Sequence, residues 1–439
     1  MTSVVKIGGS SLATLDSTLQ IMKQLRDLDE DLVITVSAQG KTTDRIAHAI
    51  ESARNGRRIE PEEVFTEFEA MYTGLPKGNY LRGLRDSVFG EFGKILAKGR
   101  EELDSPSQTA YLHLCGERLS AALFASIMSG NGNNSEFIDF FSHTFPLVVK
   151  GDYHNARIDF DETRKRAYLQ EINRRSIILP GYGGIDKEGR AKTLGRGGSD
   201  TTAFGYLYAF QGNSLWMLTD VDGILENANI DGSRTVESID LAEAKDGATL
   251  GAKLPGRRAL EGAEKYFKEG ARPEIFVAHS QDMDGPKTRI VYKTEEKMPV
   301  KFVAGRDIVL YELEGNLRGL HNKLEESGIE FAGFISNDYA RIVIPYDAKD
   351  YAARIMGELF ENVNGSRGDV EIQRYADFSL IGAVGNGMYQ NGNENSNESS
   401  VGITAAAGST LSTSGVDIKY NMDPGKVSLG FIVRRGDMA

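Results

Sequence analysis

Lys6-Ile7-Gly8-Gly9-Ser10-Ser11 grows directly out of an apolar run, Val4–Ile7, and places a cation and two glycines where a strand would end. Ligands bind at that edge of open α/β sheets. Glycine lets backbone N–H groups approach phosphate oxygens, and a following helix N-terminus favours an anion. Lys6 could then meet the charge that moves with a transferred γ-phosphate. Standing alone, the same residues would form an ordinary strand-to-helix turn about half the time. The stretch is not a Walker A loop. Gly40-Lys41-Thr42 has the right ending, but Thr35 occupies the upstream position that must be glycine.

Gly195-Arg196-Gly197-Gly198-Ser199-Asp200-Thr201-Thr202 is the segment richest in chemistry. Arginine offers a planar fork to a carboxylate, and Ser199, Thr201 and Thr202 can cap a helix or hold an anion. A glycine-rich loop with a solvated arginine is the plainer reading and the weaker one. Thr219-Asp220-Val221-Asp222-Gly223 follows the apolar run Leu215–Leu218. Its carboxylates could contact ribose hydroxyls or a metal-bound nucleotide, and an Asx-turn is equally good chemistry for it in isolation. Gly251-Ala252-Lys253 could add a phosphate-neutralising cation, although a surface lysine is the commoner fate. Gly116-Glu117-Arg118-Leu119-Ser120 reads by default as a helical surface with salt bridges.

The elements that must carry these loops alternate. A strand at Val4–Ile7 is followed by a helix with apolar residues near Leu19, Met22 and Leu25. A second buried strand, Leu32–Val36, precedes the small polar loop Ser37-Ala38-Gln39-Gly40. This is the rhythm of a parallel α/β sheet. Residues 60–130 read as mainly helical, with further strands at Ser176–Leu179, Leu215–Leu218 and Glu274–Val277; the first runs into Pro180-Gly181-Tyr182-Gly183-Gly184. After residue 300 the texture changes. A strand at Ile308–Leu313, a helix at Leu317–Ser327 and a strand at Ala340–Pro345 recur as Phe378–Val384, Ile403–Ser414 and Val427–Val433. Two copies of a unit of about 65 residues suggest a duplicated small α/β module. Tyr292–Lys301 reads as a linker, and Gln390–Ser400, rich in Asn, Ser and Glu, as a disordered loop.

A chain of 439 residues exceeds what one core usually supports, so two or three domains are expected. A net charge of -12 argues against a nucleic-acid partner, which needs a basic face, but leaves room for a local cationic pocket. The single Cys115 excludes an internal disulfide framework and fits a reducing cytoplasm. No charged leader precedes an apolar stretch, and no apolar run approaches the roughly 18 residues of a membrane helix. The six histidines are scattered without metal-ligand spacing, so no metal site built from protein ligands is expected.

Together, and in this order, these segments resemble the aspartate kinase family of the amino acid kinase fold. Lys6–Ser11 is similar to the opening Lys-Phe-Gly-Gly-Thr-Ser motif, with Ile7 for Phe and Ser10 for Thr. Ser37–Asp44 resembles the Ser-Ala…Thr-Asn loop, with Asp44 where Asn is usual. Gly116–Ser120 resembles the Gly-Glu-x-x-Ser segment, Leu194–Asp200 the Leu-Gly-Arg-Gly-Gly-Ser-Asp segment without change, and Thr219–Ile224 the Thr-Asp-Val-Asp-Gly-Ile segment. The resemblance covers nearly the whole chain, since the C-terminal repeats are similar to paired ACT modules.

The resemblance implies an α/β fold: an amino acid kinase-like open sheet with helices on both faces over residues 1–295. It also implies a pair of intertwined βαβ-rich ACT-like modules at 302–372 and 373–439. It implies ATP phosphates, with Mg2+, near Lys6, Gly8, Gly9 and Ser10, assisted by Lys253, and a nucleoside pocket lined by Thr219 and Asp220. Lys6 and Asp200 would be catalytic. Thr43, Glu117, Arg196 and Ser199 would hold L-aspartate, with Arg196 on the α-carboxylate and Glu117 on the ammonium group. The product would be 4-phospho-L-aspartate, the first step of aspartate-family amino acid biosynthesis. The protein would be a cytoplasmic homodimer or larger assembly, under feedback by an amino acid such as lysine or threonine, with no membrane or nucleic-acid partner.

The chain also departs from the family. Leu225 and Ile230 stand where Tyr and Arg are usual, Leu254-Pro255-Gly256-Arg257 replaces Val-Leu-His-Pro, and Asp423-Pro424-Gly425-Lys426 stands where a Ser/Glu-rich effector segment is common. Alternatives are a kinase of another amino acid or carboxylate on the same fold, a non-catalytic ACT-based sensor, and a structural scaffold. Intact Lys6, Arg196 and Asp200 argue against the sensor, and the polar loops against the scaffold.

Overall fold

The structure, a computed structural model, describes residues 1–28, 30–75, 79–170, 176–228, 230, 232–295, 300–327, 331–346, 349, 353, 356, 370–385, 418–422 and 428–434. The chain divides into two compact units, Met1–Gly223 with Arg258–Tyr292, and Ile224–Arg257 with Lys293–Ala439.

Seven strands of the first unit form its sheet: β1 (Thr2–Ile7), β2 (Asp31–Val36), β3 (Ser135–Phe137), β4 (Ser176–Pro180), β5 (Ser214–Thr219), β6 (Glu274–His279) and β7 (Asp282–Val291). They lie in the order β7-β6-β5-β1-β2-β4-β3. All pairs are parallel except β6 with β7. Strands covered on both faces read as continuous apolar runs, which is why Val4–Ile7 and Leu32–Val36 stand out in the sequence. β4 is buried along its whole length.

Register fixes the functional edge. Ile7 lies opposite Val36 on one side and Leu218 on the other, and Val36 lies opposite Pro180. The loops after β5, β1, β2 and β4 therefore leave the sheet side by side.

Helices cover this sheet. In α1 (Leu15–Asp27), capped by Thr14, which accepts from the Ser17 N–H, the buried stripe is Thr18, Ile21, Met22 and Leu25. Leu19, expected on that stripe, is instead on the exposed side. The spacing explains it: 18, 21, 22 and 25 share one face of a 3.6-residue period, and 19 falls off it. α2 is Thr42–Arg54, α3 is Pro106–Gly130 and α4 is Gly198–Ala209. α3 corrects the expectation of a salt-bridged surface at Gly116–Ser120. Leu114–Ala125 is buried without a break, and Arg118 turns inward to Asp139 at 2.7 Å. A helix buried all round has no solvated face to advertise in its sequence.

The second unit holds an antiparallel sheet of β8 (Phe302–Gly315), β9 (Ala332–Ile335), β10 (Tyr339–Pro345), β11 (Val370–Val384), β12 (Ile418–Met422) and β13 (Ser428–Arg434). The order is β9-β10-β8-β11-β13-β12, so both expected repeats contribute to one sheet joined at β8 and β11. A helix at Leu320–Ser327 packs Leu320 and Leu324 into a core with Val309, Tyr311, Leu313 and Ile342. The helix Leu241–Leu250 belongs to this unit and begins with a capping box of Asp240 and Glu243. The expected loop at Gln390–Ser400, the expected helix at Ile403–Ser414 and Asp423–Lys426 lie outside the described residues.

Candidate active site

The first-unit loops meet closely at the functional edge. After β1, the Gly8 N–H donates to the Leu218 carbonyl at 3.2 Å, and the Gly9 carbonyl accepts from the Gly40 N–H at 2.9 Å. A Cβ on Gly9 would stand 2.1 Å from the Ala38 oxygen, so only glycine lets the loops after β1 and β2 touch. Ser10, at the crest of this turn, is exposed.

Lys6 and Asp200, far apart in the chain, come together: Lys6 Nζ stands 2.9 Å from Asp200 Oδ1. Asp200 sits in the first turn of α4, and the pair is only partly exposed, 16% and 23% by side chain. Ser199 on the same turn comes against β4, since a Cβ on Gly181 would lie 2.9 Å from both Ser199 Oγ and the Val36 oxygen. Arg196 is exposed on the loop before α4, between Gly195 and Gly197, both in the left-handed region.

Glu117 comes from α3 and is 2% exposed. The Ala38 N–H donates to its Oε1 at 3.4 Å, and Oε2 has no hydrogen-bond partner among the described residues. Burial pushes its carboxyl up to about 8, and the backbone N–H groups that bond it, its own and that of Ala38, only partly offset this. An unsatisfied buried carboxylate oxygen is costly. An arriving ammonium group would remove that cost. α3 is held in register here by Ser120, whose hydroxyl donates to the Ser37 carbonyl at 2.8 Å. Half-buried Thr43 lies in the first turn of α2, beside Thr42, which packs against Gly116.

Thr219 ends β5; its hydroxyl donates to Asp220 Oδ1 at 3.2 Å, and its carbonyl accepts from the Ser280 N–H at 2.8 Å. The first unit thus gathers Lys6, Gly8, Gly9, Ser10, Thr43, Glu117, Arg196, Ser199, Asp200, Thr219 and Asp220 on the loops and helix turns of one sheet. Lys253 and Leu225 belong to the second unit, as does Ile230, which is exposed. Among the described residues no group of three or more His, Cys, Asp or Glu side chains could hold a metal.

Tyr182 escapes sequence reasoning. It is a non-glycine residue at φ 69, and its carbonyl accepts from the Leu194 N–H at 2.8 Å. Its hydroxyl bonds the Thr193 side chain, and burial, with the neighbouring Glu117 charge, pushes its pKa up to about 12. Backbone held in that region by a bulky residue is strained, and such strain collects at functional sites. The only hint in the sequence is its place among the glycines that follow β4.

A sequence profile of the amino acid kinase family matches residues 1–266, more than half of the chain. The chain belongs to the amino acid kinase family. It is similar to an aspartate kinase of Pseudomonas fluorescens (strain SBW25), 23% identical over 396 residues that span 86% of this chain and 84% of that protein. Among solved structures it is similar to E. coli aspartokinase III in complex with aspartate and ADP, the R-state. The TM-score there is 0.77 at 21% identity, over 100% of this chain and 97% of that one. The T-state of the same E. coli protein, in complex with lysine and aspartate, gives a TM-score of 0.69 at 21% identity, over 99% and 96%. At this identity the likeness shows a shared fold.

Proposed function

We propose that this amino acid kinase is an aspartate kinase, transferring the γ-phosphate of ATP to the side-chain carboxylate of L-aspartate. One observation carries the reading. The same sheet edge offers Lys6, held by Asp200, beside glycine loops suited to phosphate, and a buried glutamate with an unsatisfied oxygen suited to an ammonium group. A substrate with an ammonium group and a carboxylate nucleophile uses both. The aspartate kinases and aspartate-bound aspartokinase among its relatives support that substrate class.

The attacking carboxylate, with an ordinary pKa of about 3.9, is ionised at neutral pH, so no general base is required. One carboxylate oxygen forms the new bond to the γ-phosphorus, the bond from that phosphorus to the β–γ bridging oxygen breaks, and ADP leaves with the electron pair. The remaining task is to bring two anions together. Lys6, oriented by Asp200, neutralises the transferring phosphoryl; Gly8, whose N–H is held by the Leu218 carbonyl, keeps the backbone bare at the strand end, and the Gly9 amide and the Ser10 hydroxyl face the phosphates. Thr219 and Asp220 line the nucleoside. Arg196 clamps the α-carboxylate, Glu117 receives the ammonium, and Ser199 and Thr43 complete the amino-acid pocket. Mg2+ carried in with ATP would supply further charge neutralisation for the phosphates.

The C-terminal sheet is read as an ACT pair that binds an amino-acid effector. The lysine bound by the E. coli T-state makes lysine the first effector to try on a cytoplasmic homodimer or larger assembly. Trapping the acyl phosphate with hydroxylamine tests the reaction itself. Hydroxamate should form with ATP and aspartate, far more slowly with glutamate, and not without an amino acid. Equal rates with glutamate would move the assignment to a different carboxylate, and no hydroxamate from either would refute kinase activity.

A further inference from the structure

The glycine loop that carries Arg196 is held from outside by a residue the motifs do not include. Arg258 directs one guanidinium nitrogen, Nη1, to the Asn155 side-chain oxygen and to the Leu194 carbonyl at 3.4 Å. Its other terminal nitrogen, Nη2, donates to the Asn155 carbonyl at 3.2 Å and to the Ala156 carbonyl at 2.6 Å. These acceptors lie on two separate segments that are themselves paired. The Ala156 N–H donates to the Thr193 carbonyl at 2.9 Å, and the Thr193 N–H to the Tyr153 carbonyl at 2.8 Å. Leu194 is the last residue before Gly195 and Arg196. Gly195 sits at φ 75 with Asn155 Oδ1 only 3.1 Å from where a Cβ would stand, so Asn155 wedges beneath the turn that aims Arg196.

We propose that Arg258 is a positioning residue that clamps Leu194 and Asn155, and so fixes the Arg196 loop in the posture that receives the amino-acid carboxylate. The inference deepens the proposed function and rests on Arg196 being the carboxylate clamp. Four acceptors spread over two segments suit a planar fork with fixed donor directions; a lysine ammonium would reach fewer of them and orient none. Removing the fork leaves the carbonyls of Leu194 and Ala156 short of a donor and frees the turn to wander. Displacements near 1 Å are costly when a clamp must meet its partner in one geometry.

The full-length protein tests this with Arg258→Ala, Arg258→Lys and the milder Asn155→Ala, beside Arg196→Ala. Hydrogen exchange of the peptide spanning Leu194–Thr201 reads the clamp without reference to substrate. Exchange there should quicken by roughly tenfold in Arg258→Ala and Arg258→Lys, and less in Asn155→Ala, with α1 unchanged. Steady-state kinetics should show the KM for aspartate raised about tenfold and the KM for ATP held within about twofold, with millimolar guanidinium partly rescuing Arg258→Ala. Unchanged exchange at Leu194–Thr201 in all three variants would overturn the clamp. So would equal rises in both KM values without rescue, which is what general loosening produces. If Arg196→Ala leaves the aspartate KM unaltered, the carboxylate role of the loop fails, and the exchange result still decides whether Arg258 holds it.

Discussion

Replacing Glu117 by glutamine keeps the volume of the side chain and removes its titration, which isolates the charge that the ammonium group is meant to meet. With the carboxyl pushed up to about 8 in the empty site, roughly one molecule in eleven is ionised at pH 7 and about half at pH 8. If the substrate ammonium binds only the ionised form, its apparent affinity should rise roughly fivefold from pH 7 to 8 and less than twofold from 8 to 9. Binding at pH 7 should release close to one proton. Calorimetric titration of aspartate in buffers of differing ionisation enthalpy measures both quantities. The linkage also has a sign for stability. The folded value lies above the ordinary 4.5, so the empty protein gains nothing below that value and loses stability as pH climbs toward 8, about 3 kcal/mol by pH 7. Glu117→Gln should therefore melt higher than the wild type by a margin that widens from pH 5 to pH 8, while binding aspartate weakly at every pH. A pH-independent affinity in the wild type, with no proton released, would refute the reasoning.

Lys6→Ala should lower kcat by about a hundredfold or more, with both KM values changed little, because its charge is needed most as the phosphoryl moves; initial-rate kinetics with unchanged turnover would reject the role. His113, on α3 with its ring 6.0 Å from that of His154, is held down to about 4 by burial and by the charges of His154 and Arg54. Its folded value lies below the ordinary 6.5, so stability is intact above that pH and falls as pH drops toward 4, by about 3 kcal/mol in all. His113→Gln should be less acid-labile, read as a smaller drop in urea midpoint between pH 7 and 4.5 than the wild type shows.

The sheet of the first unit is legible because its central strands are dominated by buried apolar residues, Val4, Val5 and Ile7 in β1 and Leu32–Ile34 and Val36 in β2. Its loops are legible because glycine and charge at a strand end contribute little to a core and much to holding an anion. β7 escapes such a reading: it opens on Asp282-Met283-Asp284-Gly285-Pro286, poor strand sequence of which only Asp282 pairs with β6, and its antiparallel ladder is carried by Lys287–Ile290. β9 is hidden by Gly333, which takes φ 138 against the Arg341 oxygen. At the site, residue identities can be read but not their surroundings. Nothing in Gly116–Ser120 says that Glu117 is buried with one oxygen unsatisfied, since burial comes from the packing of α3. Tyr182 and Arg258 are invisible for a related reason: one acts through a backbone angle, the other through bonds to main-chain carbonyls, and neither depends on a recognisable motif.

The chain leaves the first unit after Gly223 and returns to it at Arg258, so neither unit is one uninterrupted stretch. Cutting the gene after Tyr292 would not yield a clean catalytic fragment. The excursion would come along without its partners in the C-terminal sheet: Glu243 would lose Lys301, which stands 3.1 Å away in a fully buried pair, and Asp246 would lose Ser428. The bare face of the Leu241–Leu250 helix, where Gly247 now packs against the Phe302 ring, would meet water. No single cut therefore separates the two units, and excising the detour would take Lys253 and part of the family-matched stretch 1–266 with it.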